Sequence, residues 1–248
     1  MFPSKLAITF ALASLLTLPF YATAETIEPD ALAALKRMGD YLRSLKSFSI
    51  QAWSATDLVL DNGQKIQSDS SLRLSAIRPN KLYFNSTSAL RSRELFYDGK
   101  TLSVYTIGSP YYARVTAPST IDALLDAAAK NYGIEFPLTD LFYWGTDKDN
   151  ESKLTGALRV GPEMINGRGC QLYAFRQENV DWQVCMTEGH EILPIKLVVT
   201  TTNDPMQPQH VTYLKWNVHP KLATSAFEFH PPKGAKHVEL APQPTGNK

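Results

Sequence analysis

The residues whose types and spacing bear most directly on chemistry are five histidines, two cysteines and one short acidic stretch. The histidines, His190, His210, His219, His230 and His237, contain no His-Glu-x-x-His or other metal-binding spacing. His210 and His219 lie nine residues apart and would face opposite sides of one strand, so each reads as a surface or turn histidine. The stretch Asp147-Lys148-Asp149-Asn150-Glu151 alternates its carboxylates as a calcium loop does. It lacks the glycine and the terminal glutamate of an EF-hand loop, and reads as a solvated loop. There is no Gly-x-Ser-x-Gly elbow, no P-loop and no dinucleotide fingerprint. The chain is therefore read as non-enzymatic, with no metal and no cofactor.

Cys170 and Cys185 lie in runs that read as the two arms of one hairpin, Arg168 to Arg176 and Asp181 to Thr187. With the turn centred on Gln177 and Glu178, the two cysteines face each other across the ladder. A disulfide there would close a short loop and stabilise the fold by about 3 kcal/mol on a chain-entropy estimate. The alternatives are two free thiols, or a redox pair without the usual Cys-x-x-Cys spacing.

The elements around these residues follow from periodicity. Ala31, Leu32, Leu35, Met38, Leu42 and Leu45 recur at helical spacing behind Pro29 and Asp30. From Ser47 the period becomes two, and Asp61-Asn62-Gly63-Gln64 turns the first strand into a second. Strands over Lys81 to Thr87, Arg93 to Tyr97 and Lys100 to Thr106 complete a meander. Ser119 is placed to cap a helix over Thr120 to Tyr132, and Phe136 to Trp144 reads as a further short helix. Strands resume from Lys153 and end in a short one at Phe227 to Pro232, before a disordered tail, 241–248.

The even face of the first hairpin is apolar at its ends and small and polar in its middle. Ser54, Thr56, Ser68 and Ser70 stand where a packed core would carry Val, Leu or Ile. Small residues mid-strand leave space over the sheet, which neighbouring helices can roof into an apolar pocket. The expected lining is Ile50, Ser54, Thr56, Leu58, Ser68, Ser70, Leu72 and Leu74 from the hairpin, Phe84 and Phe96 from the next strands, and Leu124, Leu125 and Phe142 from the helices. The alternative is that the hydroxyl residues mark a strand bend or face water.

The start of the chain has a basic Lys5, an apolar run from Leu6 to Phe20 and the small-x-small triplet Ala22-Thr23-Ala24. These are the parts of a secretory signal peptide, with cleavage expected after Ala24 and a domain over 25–240. The apolar run is about 15 residues, short of the roughly 20 of a spanning helix. Export predicts an oxidising compartment in which a cysteine pair is joined. Removing residues 1–24 takes away one lysine and no acid, leaving 24 basic and 24 acidic residues. That balance gives no reason to expect a nucleic-acid partner, which wants clustered Lys and Arg. No transmembrane anchor is expected in the mature chain.

The second half carries a distinctive series of strings. They are Gly169-Cys170-Gln171-Leu172-Tyr173-Ala174-Phe175-Arg176, Val180-Asp181-Trp182-Gln183, Leu193-Pro194-Ile195-Lys196-Leu197-Val198, Leu214-Lys215-Trp216-Asn217 and Phe227-Glu228-Phe229-His230-Pro231-Pro232-Lys233-Gly234-Ala235. Their order and spacing, with Phe48 and Arg78-Pro79 upstream, resemble a family of predicted periplasmic proteins of Gram-negative bacteria whose function is unknown. Cys185 departs from the family pattern, where an aromatic or aliphatic residue is expected. The resemblance implies a fold similar to the lipoprotein carriers LolA and LolB and to the sensor RseB. That fold is mainly β (α+β): a strongly curved antiparallel sheet, an incomplete barrel, with helices on its concave side and an apolar cavity. It further implies a periplasmic carrier of a hydrophobic ligand, a lipid or a lipoprotein acyl chain. The alternative is a sensor or scaffold that binds an envelope protein. Fold does not fix function, and the family supplies no catalytic motif to carry over.

Overall fold

Alternation of apolar and polar residues from Ser47 onward builds the sheet that dominates the structure, a computed structural model describing residues 26–146 and 150–242. The expected signal peptide lies outside the described residues, as do most of the acidic loop at 147–151 and of the tail at 241–248. Helix α1 (Pro29–Ser44) precedes strands β1 (Ser47–Val59), β2 (Lys65–Ile77), β3 (Lys81–Ser88), β4 (Ser92–Tyr97), β5 (Thr101–Thr106) and β6 (Tyr111–Thr116). Helices α2 (Ile121–Tyr132) and α3 (Asp140–Tyr143) follow. The remaining strands are β7 (Gly156–Ile165), β8 (Arg168–Gln177), β9 (Val180–Met186), β10 (Pro194–Thr201), β11 (Gln209–Asn217) and β12 (Lys236–Val238).

All the strands form one open, curved sheet of twelve, in the order β12-β6-β5-β4-β3-β2-β1-β11-β10-β9-β8-β7. Two meanders are thus joined by a single seam, the antiparallel pairing of β1 with β11 from Ser49↔Asn217 to Thr56↔His210. The fold is mostly β, with its helices gathered on one face, called the inner face below. No helix among the described residues is long and apolar enough to cross a membrane.

Several elements differ from the sequence expectation, including the helix expected over Phe136 to Trp144, of which only Asp140–Tyr143 is helical. Residues Tyr111–Thr116 form a sixth strand, which their mixed polarity conceals. The cap of α2 is Thr120, whose hydroxyl accepts from the amide of Ala123. The segment 227–232 is not a strand: Thr224–Phe227 is a turn of 3-10 helix, and the terminal strand is β12, running parallel to β6.

That C-terminal segment straps the outer face. Phe227 is fully buried and the Phe229 ring sits 5.2 to 5.7 Å from those of Phe96, Tyr105 and Tyr112. The Arg114 guanidinium donates to the Phe229 carbonyl at 3.0 Å and to Ser103 Oγ at 3.0 Å.

The cysteines are joined, with S–S 2.09 Å and Cα–Cα 5.5 Å, but not directly opposite each other. Gln177 pairs with Val180, so the turn is Glu178-Asn179 and Cys185 faces Leu172, with Cys170 on the diagonal. A register shift of two leaves every side chain on its face, so the bridge still forms. It lies in a small apolar cluster with Ile195, Ile165 and Leu172.

The inner face is filled at one end by the helices. Leu35, Met38 and Leu42 of α1, Ile121, Leu124 and Leu125 of α2, and Leu141 and Phe142 of α3 pack with Phe48, Ile50, Leu74 and Phe84 of the sheet. Arg78 lies over the Phe142 ring at 5.2 Å. The turn after α3 is held against α1 at Gly39, where an added Cβ would come within 2.9 Å of the Trp144 carbonyl carbon and the Gly145 nitrogen. Arg43 reinforces the contact by donating to the Trp144 carbonyl at 3.5 Å.

A glycine inside a helix costs about 1 kcal/mol relative to alanine, so Gly39→Ala would stabilise an isolated α1. Here the methyl meets backbone, and overpacking of that kind costs about 1–3 kcal/mol. The variant is expected to lose about 1 kcal/mol in urea unfolding, opposite in sign to the helix propensity.

Candidate functional site

Along each central strand the inner face changes character with distance from the helices. On β1, Ile50 and Ala52 are buried, Ser54 and Thr56 are half-buried, and Leu58 is 44% exposed. On β2, Leu74 and Leu72 are buried, Ser70 and Ser68 are half-buried, and Ile66 is 41% exposed. The residues that lose helix cover are the ones that become small and hydroxylic.

Register turns these residues into rows. Ser88 pairs with Ser70, Ser70 with Ser54, and Ser54 with Thr212, so one row of hydroxyls crosses β3, β2, β1 and β11. The next row runs Ser68, Thr56, His210 and Val199. Ser54 and Thr212 share a hydrogen bond of 2.8 Å. His210 is bonded through Nδ1 to Thr56 at 2.7 Å and through Nε2 to Thr212 at 2.9 Å. The imidazole thus ties the two central strands together. Both ring nitrogens are bonded to threonine hydroxyls, not to a carboxylate of the kind that orients the histidine of a serine-type triad.

Beyond this polar strip lies a cleft where apolar side chains meet Asp140, Glu151 and Gln177. Leu197 and Val199 of β10, Trp182 of β9, and Tyr143 and Trp144 beside α3 line this cleft of about 160 Å³. Trp144 stacks on Trp182 at 6.3 Å, and Trp182 stacks on Phe175 at 4.2 Å. Tyr143 donates to Asp126 at 2.9 Å; burial and that carboxylate push its phenol above the usual range. Since Asp126 belongs to α2, this bond fixes the wall of the cleft to the neighbouring helix.

The expected lining residues fall into three groups. Ser54, Thr56, Leu58, Ser68 and Ser70 lie together on the open part of the inner face. Ile50, Leu72, Leu74, Phe84, Leu124, Leu125 and Phe142 are packed into the core beneath the helices. Phe96 is on the outer face, its ring tilted against Tyr83 at 5.0 Å and against Phe229 at 5.3 Å. It pairs directly with Tyr83 and so must share that residue's side of the sheet. Sequence reasoning missed Thr212, His210, Leu197 and Val199, and took His210 for a surface or turn residue. His219 lies beyond the end of β11, so the nine-residue comparison did not apply. The usable signal was parity: His210 and Thr212 alternate with Leu214 and Trp216 on one face.

Burial holds His210 below its usual pKa of 6.5. As pH falls below 6.5 the unfolded chain takes up the proton first, so stability decreases until the folded-state pKa is passed. In His210→Gln this contribution is absent. The loss of denaturant stability between about pH 7.5 and about pH 5 is expected to be smaller in the variant than in the wild type.

Comparison with solved structures finds similarity to the lipoprotein LppX of Mycobacterium tuberculosis, at 10% identity and TM-score 0.46, covering 79% of this chain and 100% of that one. MucB in the MucA/MucB complex of Pseudomonas aeruginosa is similar at 16% identity and TM-score 0.43, covering 81% of this chain and 61% of that one. A LolA superfamily protein of Nitrosomonas europaea is similar at 8% identity and TM-score 0.34, covering 80% and 97%. No curated protein sequence matches the chain. A family profile described as "Predicted periplasmic protein (DUF2092)" matches residues 31–241. The chain belongs to that family of predicted periplasmic proteins.

Proposed function

We propose that this protein is an exported, non-enzymatic binding protein that holds the apolar part of an amphipathic ligand, such as a lipid or acyl chain, in the open groove of its inner face. The observation that carries this reading is the row Ser88-Ser70-Ser54-Thr212. Four aligned small side chains keep the sheet surface low where helix cover ends, between the filled core and the exposed Leu58 and Ile66. A groove with an apolar rim and a few fixed polar groups suits a ligand with one apolar and one polar part. Because the helices occupy the rest of the inner face, the ligand lies along the groove instead of inside a deep barrel.

Export through a signal peptide cleaved after Ala24 completes the reading and agrees with the joined cysteines, since disulfides persist in oxidising compartments. A protein partner is the second reading. It is favoured by the exposed apolar tip of the first hairpin, Leu58, Val59, Leu60 and Ile66, a patch of the kind used in association.

Filling the groove tests the first reading. Ser54→Phe with Ser70→Phe places two rings over the hydroxyl row. Mass spectrometry of organic extracts is expected to recover lipid from the wild-type protein purified from bacterial envelope, and about tenfold less from the filled variant. Equal recovery from both, or none from the wild type, would contradict it and favour the hairpin tip.

A further inference from the structure

At the Ser88 end of the hydroxyl row, a pocket of about 220 Å³ opens between the β3–β4 hairpin and the segment after α2. Its floor is Phe84 and Leu95, and its polar lining is Ser86, Ser88, Arg91 and Arg93. Arg91, exposed in the turn before β4, and Arg93, on β4, both line the pocket. Arg93 is opposite Ser86 in the ladder and half-buried, and its Nε is buried with no hydrogen-bond partner among the described residues.

This arrangement is costly as it stands. A desolvated guanidinium with an unused donor is unfavourable, and a second cation beside it makes it more so. Burial and the Arg91 charge together hold Arg93 below its usual pKa. Glu135 is the one acid among the lining residues, and it is exposed. Two arginines and one glutamate leave the lining with a formal charge of +1. An oxyanion carrying one negative charge would balance it, engage the free Nε, and accept from the two serine hydroxyls. Guanidinium groups pair well with phosphate because two parallel donors match two oxygens.

We propose that this pocket binds a phosphoryl oxyanion, that of a phosphodiester amphiphile whose apolar part lies in the groove. The inference rests on the groove reading for the apolar part and on the pocket alone for the phosphate. It gives the groove a direction, with the headgroup at β3–β4 and the chain running past Ser70 and Ser54 toward Leu197 and Trp182.

Isothermal titration with three probes separates these elements: dihexanoyl phosphatidylglycerol, dihexanoylglycerol and inorganic phosphate. Wild type is expected to bind the phosphatidylglycerol at least about tenfold more tightly than dihexanoylglycerol, and Arg93→Gln to erase that difference. Inorganic phosphate is expected to compete, and added salt to weaken only the anionic probes. Arg93→Gln removes an unsatisfied charge, so its thermal midpoint without ligand should not fall, which separates lost binding from lost folding. Equal binding of the two lipids, or equal binding of the anionic probes by wild type and variant, would overturn the proposal and leave the groove reading intact. Arginine-dependent binding of phosphate without either lipid would uphold the phosphate seat and refute the groove reading. Binding of no probe would overturn both.

Discussion

The pairing of β1 with β11 is the interaction on which the rest of the structure depends. It joins residues 47–59 to residues 209–217, the one ladder between the two halves of the sheet, whose other pairs are local and antiparallel except for β12 with β6. Closing so long a loop costs entropy before any contact repays it. The seam recovers that cost through its buried Ile50, Ala52 and Leu214 and through the Ser54–Thr212 and Thr56–His210 hydrogen bonds. The hydroxyl row exists only because the seam is in register. A slip of one residue between the two strands would put Ser54 and Thr56 on the opposite face from His210 and Thr212.

The second determinant is how the inner face is shared. The three α-helices of the described residues are too few to cover twelve strands, so they fill one end and leave the other to small polar and rim apolar residues. What stops α3 from sliding over the open part is its short tether to α1 at Gly39 and Gly145, with the Tyr143–Asp126 bond holding it to α2. The outer face has its own cover in the C-terminal strap, whose Phe227 and Phe229 bury the aromatic side of β3 to β6.

Much of this was legible in the residues, and the failures have physical causes. The helix α1, the Asn62-Gly63 hairpin and the cysteine pair follow from local signals: 3.6 periodicity, turn chemistry and short sequence separation. Parity of Ser54, Thr56, Ser68 and Ser70 placed them on one face because β1 and β2 are mostly polar on the other, with Trp53 an exception. Parity failed at Leu95-Phe96-Tyr97, where both faces are apolar because the strap covers the outer one. Nothing local marks residues 223–238 as that cover, since their partners are more than a hundred residues away. The same distance hid His210 and Thr212, which join the site only through the seam. Which apolar residues would be core and which groove was equally unreadable, because it depends on where α1 to α3 stop along the sheet.

The proposed groove puts the apolar part of the ligand on the inner face beside Trp144 and Trp182 and away from the outer face, where Trp53 is 51% exposed. Quenching of tryptophan fluorescence by an amphiphile brominated on its acyl chain measures that proximity directly. Quenching should be preserved in Trp53→Phe and largely lost in the double variant Trp144→Phe with Trp182→Phe, since both rings line the cleft. Equal quenching in the two variants, or its loss in Trp53→Phe alone, would contradict the account.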